Sequence, residues 1–232
     1  DLIMVNIDKT ETDKRHLEPN TVLNMDVKTF LGEISARGNL RPTVSGSSDW
    51  LTHCQAFKAK NKSYDQVDKN DKINSYYFIE ELSALSDARH IFVNDAGSGN
   101  YICSQSLELK EGQREITSGA FYSMGVALPM AIGAGFSHPD SQIIAVIGDG
   151  SIELNIQELR TLSLNRLNVK IFVINNGGYA SIRKSQDDFV GGRYTDDQEV
   201  LDFKTIAHAF DLNYRLIENY QVLDSGLAGV FL

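Results

Sequence analysis

From about residue 75 onward, short runs of apolar residues alternate with stretches that carry apolar positions at helical spacing. HIFVN (90–94), QIIAVIG (142–148) and VKIFVIN (169–175) predict strands, and each run is apolar on both sides rather than alternating. Between and after them, FYSMGVALPMAIGAGF (121–136) predicts a helix interrupted at Pro129. IELNIQELRTLSLNR (152–166) predicts another, with apolar residues at 152, 156, 159 and 162. SIRKSQDDF (181–189) and DFKTIAHAF (202–210) read as shorter helices, and YRLIEN (214–219) as a closing strand. Strands apolar on both faces, separated by helices, define an α/β chain with a doubly wound parallel sheet and helices on both faces. Ahead of this region, residues 1–8 read as a strand and 25–34 as a short amphipathic helix. Residues 37–49 form a Gly/Ser/Pro-rich linker, and 50–62 have helical spacing.

Parallel sheets bind ligands at the carboxyl ends of their strands. Three predicted strands end in polar or glycine-rich turns: DAGSGN (95–100), GDGS (148–151) and NNGG (175–178). Composition narrows what those turns can hold. The 232 residues carry 22 Lys+Arg against 31 Asp+Glu, a net charge of −9. That balance argues against a nucleic-acid footprint or an anionic membrane surface. An anionic ligand would need a metal ion or backbone N–H groups to bind here. Cys54 and Cys103 form neither a disulfide framework nor a zinc site, so a reducing cytoplasm is the expected compartment. The longest apolar stretch, 125–136, is too short and glycine-rich to span a bilayer, and the first residues lack the basic start of a signal peptide. The chain enters on a strand and stops on LAGVFL, so we expect a fragment of a longer protein. The five histidines are scattered and read as surface or capping residues.

Gly148-Asp149-Gly150-Ser151 sits between an apolar strand and an amphipathic helix. Glycines there let backbone approach a ligand, and free N–H groups at a helix start favour phosphate. A carboxylate beside a phosphate needs a cation between them, which points Asp149 toward Mg²⁺. Asn175-Asn176 close the next strand, 27 positions on from Asp149 to Asn176. One strand–helix–strand unit of that length sets two strand ends side by side. An Asn amide oxygen and a carbonyl from NNGG would then complete an oxygen-ligand set with two diphosphate oxygens and water. Read singly, each motif is also an ordinary turn; read together they point to a metal-diphosphate site. Rival signatures fail: GSGNYI (97–102) lacks the third glycine of a dinucleotide fingerprint, and neither a P-loop nor GxSxG occurs.

The segment 148–183, from GDG through NN to SIR, resembles the thiamin diphosphate (ThDP) motif of the acetolactate synthase-like enzymes. EITSGAFYSMGVALPMAIGAGF, WLTHCQAFKAK and HIFVNDAG are similar to other parts of the same domain. The resemblance implies that residues 50–232 are a ThDP diphosphate-binding domain truncated at its C-terminus, and that 1–36 are the end of the central domain before it. By the same resemblance Asp149, Asn176 and the carbonyl of Gly178 are the Mg²⁺ ligands. Gly148, Gly150 and Ser151 border the diphosphate, with Gly97, Ser98 and Gly99 in a loop lying over it. Met124 holds the position of a bulky apolar residue that bends the cofactor, or it is plain core. Tyr179 is pocket wall or packing, and Arg183 either meets a carboxylate or lies solvated.

Acetolactate synthases carry Gln and His where this chain has Ser98 and Gly99, and Met and Trp where it has Ser181 and Ser185. A wider, more polar acceptor pocket follows. The family's activating glutamate lies on a pyrimidine-binding domain of the same or a neighbouring subunit, and these residues contain no such domain, so the catalytic group is unknown here. The implied function is decarboxylation of a small 2-keto acid such as pyruvate and ligation of the product to a second carbonyl compound, in a homodimer or homotetramer, with this stretch inactive alone. The alternatives are a simple 2-keto acid decarboxylase and a non-catalytic assembly domain.

Overall fold

A computed structural model describes residues 2–14, 18–38, 47–64, 66–194 and 201–229. The chain divides into two compact units, Asp1–Asn61 and Lys62–Leu232. Most of the predicted linker, 39–46, lies outside the described residues.

In the first unit β1 (Ile3–Val5) is followed by α1 (Lys9–Thr12), which Asp8 caps by accepting the Thr10 N–H. β2 (Thr21–Leu23) pairs in parallel with β1, Met4 opposite Val22. α2 (Val27–Ala36) starts where the Asp26 carboxylate accepts from the N–H groups of Lys28 and Thr29. α3 (Ser47–Lys60) follows. It contains Trp50, where the sequence reading begins the larger domain.

The second unit opens with α4 (Ser75–Leu85), capped by Asn74, and β3 (His90–Asn94). α5 (Ser98–Ser106), β4 (Arg114–Ile116) and a 3₁₀ turn at Gly119–Phe121 lead to α6 (Ala127–Ser137). β5 (Gln142–Gly148) runs directly into the short α7 (Asp149–Ile152) and a 3₁₀ stretch, Glu153–Glu158. α8 (Leu159–Asn165), β6 (Val169–Ile174), α9 (Ala180–Phe189), α10 (Phe203–Ala209) and α11 (Tyr220–Ala228) complete it.

The sheet is parallel throughout, in the order β4-β3-β5-β6. Leaving β3 the chain moves outward to β4, then crosses back over β3 to start β5. The strand order therefore reverses between β3 and β5, and the crevice at their carboxyl ends is the switch point of an open α/β sheet. The period of two along each strand sorts the core onto two faces. Ile91, Val93, Ile143, Ala145 and Ile147 pack with α6 and α8 residues such as Leu128, Ala131 and Leu162. Phe92, Ile144 and Val146 pack on the other face with Phe78 and Leu82 of α4, Ile102 of α5 and Leu223 of α11.

The predicted strands at 90–94 and 142–148 are present with those ends. Four readings change. The helix expected over 121–136 begins only at Ala127, with Pro129 in its first turn, where a missing N–H breaks no intrahelical bond. The helix expected over 152–166 is α7, a 3₁₀ stretch and α8, broken at Asn155 (φ −136°). YRLIEN is not a strand: residues 214–218 pair with no sheet among the described residues. His90 is no surface residue; it is buried at the start of β3, its Nδ1 2.9 Å from the Asp87 N–H.

Candidate functional site

The three predicted turns converge. After β5 the Asp149 carboxylate is buried, and Oδ1 accepts the N–H of Gly150 at 2.9 Å. Oδ2 accepts from the N–H groups of Asn176 (3.0 Å) and Gly178 (2.8 Å). The strand register explains the meeting: Gly148 stands opposite Ile174, so the chain leaving β5 and the chain leaving β6 emerge together. Gly177 and Gly178 have φ of +80° and +94°, and this left-handed region lets the loop fold its N–H groups back onto one carboxylate. The Gly178 carbonyl accepts from the Ala180 N–H at 2.7 Å and keeps a second lone pair.

Gly148 and Ser151 adjoin this carboxylate, and Ser151 is buried. Tyr179 is the residue from which α9 starts and is half-buried. The segment 96–100 corrects the sequence picture of a loop. Gly97 is the N-cap of α5, and Ser98, Gly99 and Asn100 already form its first turn. Ser98 Oγ lies 3.3 Å from Ser181 Oγ, bringing the α5 and α9 starts together across the strand ends. Asn74, Ser75 and Tyr76 join Ser98, Tyr101 and Ile102 around a cleft of about 250 Å³ beside that start. Arg183 is half-buried at the start of α9. Its guanidinium donates to the carbonyls of Gly177 (2.6 Å) and Asn176 (3.0 Å).

Met124 is half-buried in the turn before α6. Two residues that sequence reasoning missed build this turn. Asp95, buried at the end of β3, accepts from Ala96 (2.7 Å) and Gly125 (3.0 Å) on Oδ1 and from Ala127 (3.0 Å) on Oδ2. Asn155, at the break after α7, donates from Nδ2 to the Gly125 carbonyl at 2.8 Å. Gly125 has φ +80°, and a Cβ there would lie 2.7 Å from Leu154 Cβ and 3.1 Å from the Ser151 carbonyl. Only glycine fits this contact between the Met124 turn and the segment following GDG. The sequence signal for Asp95 was its place directly after an apolar strand; Asn155 had no signal apart from a polar residue within a helical pattern.

On the buried side of α5, burial pushes the Cys103 thiol up to about 12, with the charge of Glu115 adding to the effect. Cys103 is therefore a packing residue. Glu153 and Glu158 are half-buried, and Glu158 accepts from Thr161 at 2.9 Å.

The donors suit a hard cation. A carboxylate offers about four acceptor positions, and the N–H donors named above fill both on Oδ2 and one on Oδ1, which leaves one on Oδ1. Asp149, the Asn176 amide and the Gly178 carbonyl are oxygen donors, the kind Mg²⁺ prefers. Among the described residues no group of three or more His, Cys, Asp and Glu could hold a metal by itself. A cation at this crevice would thus take a mixed set of donors and share the ligand's oxygens.

Residues 95–231, more than half of the chain, match the family described as "Thiamine pyrophosphate enzyme, C-terminal TPP binding domain". The chain belongs to this family of thiamin diphosphate enzymes, and membership implies thiamin diphosphate and Mg²⁺ as its cofactors. Within the family it is acetolactate synthase-like. It is 30% identical over 189 residues to the acetolactate synthase isozyme 1 large subunit of Escherichia coli (strain K12), covering 81% of this chain and 32% of that protein. It is 35% identical to the acetolactate synthase large subunit of Pyropia yezoensis (97% and 38%) and 29% identical to that of Cyanidium caldarium (91% and 36%). The chain spans about a third of the length of these curated relatives. Among the described residues no helix is long and apolar enough to cross a membrane.

Proposed function

We propose that this chain is the diphosphate-binding part of a ThDP- and Mg²⁺-dependent enzyme that decarboxylates a small 2-keto acid, such as pyruvate, and ligates the product to a second carbonyl compound. The observation that carries the reading is the Asp149 carboxylate gripping the backbone of Asn176 and Gly178 at the ends of adjacent strands. When bound, the cofactor supplies the nucleophilic carbon and the electron sink for both bond changes.

The chain's own residues bind and orient. Asp149, the Asn176 side chain and the Gly178 carbonyl hold Mg²⁺, which offsets the negative charge of both Asp149 and the diphosphate. Gly148, Gly150 and Ser151 border the diphosphate from one strand end, and Gly97, Ser98 and Gly99 at the start of α5 border it from another. Met124 sets the cofactor's shape from a turn that Asp95 and Asn155 fix. Tyr179 lines the entrance of α9, where Ser181 and Ser185 leave room for a polar acceptor. On this reading residues 1–36 end a preceding central domain, and the larger domain follows the linker. The activating glutamate comes from a pyrimidine-binding domain of the same or a neighbouring subunit, in a homodimer or homotetramer, and this stretch alone turns nothing over.

The test is the thermal midpoint with ThDP plus Mg²⁺ against ThDP plus chelator, for the wild type and for Asp149→Asn. At about 100 times Kd, binding adds roughly 2.7 kcal/mol, a shift of several degrees at this size. The shift should vanish in chelator and in Asp149→Asn; one that survives both overturns the metal assignment. Products formed from pyruvate by the full natural polypeptide then separate ligation from simple decarboxylation, where aldehyde release alone would overturn the ligase assignment.

A further inference from the structure

We propose that Arg183 is a positioning residue that locks the metal-binding loop in the one backbone orientation able to receive the cation, an inference resting on the cofactor reading above. Arg183 sits in the first turn of α9 and is half-buried. Both of its terminal nitrogens turn back to the loop before the helix, Nη1 to Gly177 O at 2.6 Å and Nη2 to Asn176 O at 3.0 Å. A planar guanidinium can bridge two successive carbonyls in this way, whereas an ammonium on a flexible stem cannot hold the same fork.

The Gly177–Gly178 peptide unit is the centre of the device. Its carbonyl lies on the Arg183 cation, and its N–H lies on the Asp149 carboxylate. The unit's dipole thus runs from a positive side chain to a negative one, and reversing the plane would lose both charge-assisted bonds together. Without such a clamp, two successive glycines with φ of +80° and +94° would leave that peptide free to turn over at little steric cost. Holding this unit at both ends fixes the position of Gly178, whose carbonyl is one proposed ligand, and the Asn176 carbonyl anchors the residue whose amide is the other ligand from this loop. Arg183 therefore orders two of the three proposed ligands before any cation arrives, so binding does not have to spend free energy ordering them.

The experiment titrates Mn²⁺, followed by electron paramagnetic resonance, into the full natural polypeptide at saturating ThDP, for the wild type, Arg183→Met and Arg183→Lys. Outer partners of metal ligands typically change affinity by about 10- to 100-fold. Arg183→Met should therefore bind Mn²⁺ at least about tenfold more weakly with one site per chain retained, excess Mn²⁺ should restore ThDP binding, and Arg183→Lys should fall between. Equal Mn²⁺ affinity in wild type and Met variant overturns the proposal, as does a fall in the number of sites at unchanged affinity, the mark of a merely structural role. If the Met variant does not fold, Arg183→Lys decides: weaker binding supports the clamp, and wild-type binding refutes it. Failure of the wild type itself to take up Mn²⁺ with ThDP would instead bring down the cofactor reading, and the clamp with it.

Discussion

Asp95 and Asp149 close adjacent strands, are equally buried, and each accept three backbone N–H groups. Their surroundings separate them. The donors to Asp95 belong to Ala96, Gly125 and Ala127, all buried, whereas of the donors to Asp149 Gly150 and Gly178 are buried and Asn176 faces solvent. The first carboxylate is enclosed by what it binds; the second stands at a mouth. A buried carboxylate ringed by N–H groups is thus no sign of a metal ligand by itself, and exposure of the ring decides which of the two can also meet a cation.

The comparison breaks most easily on stability. Asp95→Ala leaves three enclosed N–H groups without a partner and should lower the unfolding free energy by about 4 kcal/mol. Asp149→Ala should lose less, about 3 kcal/mol, because one of its three donors, Asn176, belongs to an exposed residue. Urea unfolding measures both, and equal losses would erase the distinction. Gly125→Ala meets the Leu154 Cβ from a left-handed backbone and should cost about 3 kcal/mol. In cofactor titrations it should also weaken ThDP binding, because the turn presenting Met124 has to move.

Asn155→Ala removes one bond to the same turn and should cost about 1 kcal/mol. If its loss matches that of Gly125→Ala, the turn is held by this amide rather than by close packing. The smallest effect concerns the cysteines. Cys54 is exposed and Cys103 buried, so iodoacetamide at pH 8 should label one thiol per native chain and two after unfolding. Because folding raises the Cys103 pKa to about 12, its contribution to stability is intact below the unfolded value near ~8.5 and is lost as pH rises from there through about 12. Stability that rises over that window in a Cys54→Ser background would contradict the burial of this thiol.

What could be read from the sequence follows how much of each element's identity is local. β3 and β5 carry uninterrupted apolar runs and show their ends in the sequence. β4 is three residues, Arg114–Ile116, and α5 opens on Ser-Gly-Asn, whose turn preference conceals a helix that tertiary packing imposes through Ile102 and Cys103. α11 contains Gly226 and was hidden behind the alternation of YRLIEN, which packing leaves outside the sheet. At the site, the type and spacing of Asp149 and Asn176 were legible because a strand–helix–strand unit fixes where its ends emerge. The Arg183 fork and the Asn155 bridge were not, because a side chain that binds backbone carbonyls leaves no pattern in residue type.

The phenol of Tyr220 accepts the Asn74 N–H at 2.8 Å, joining the residue that caps α4 to the first residue of α11 across 146 positions. On a ribosome, Phe78 and Leu82 of α4 therefore wait with part of their cover missing until α11 has been synthesised, since Leu223 and Leu227 belong to that cover. The α4 face of the sheet closes after the opposite face, whose cover is complete by Leu212, and for that interval it is the one a chaperone would find.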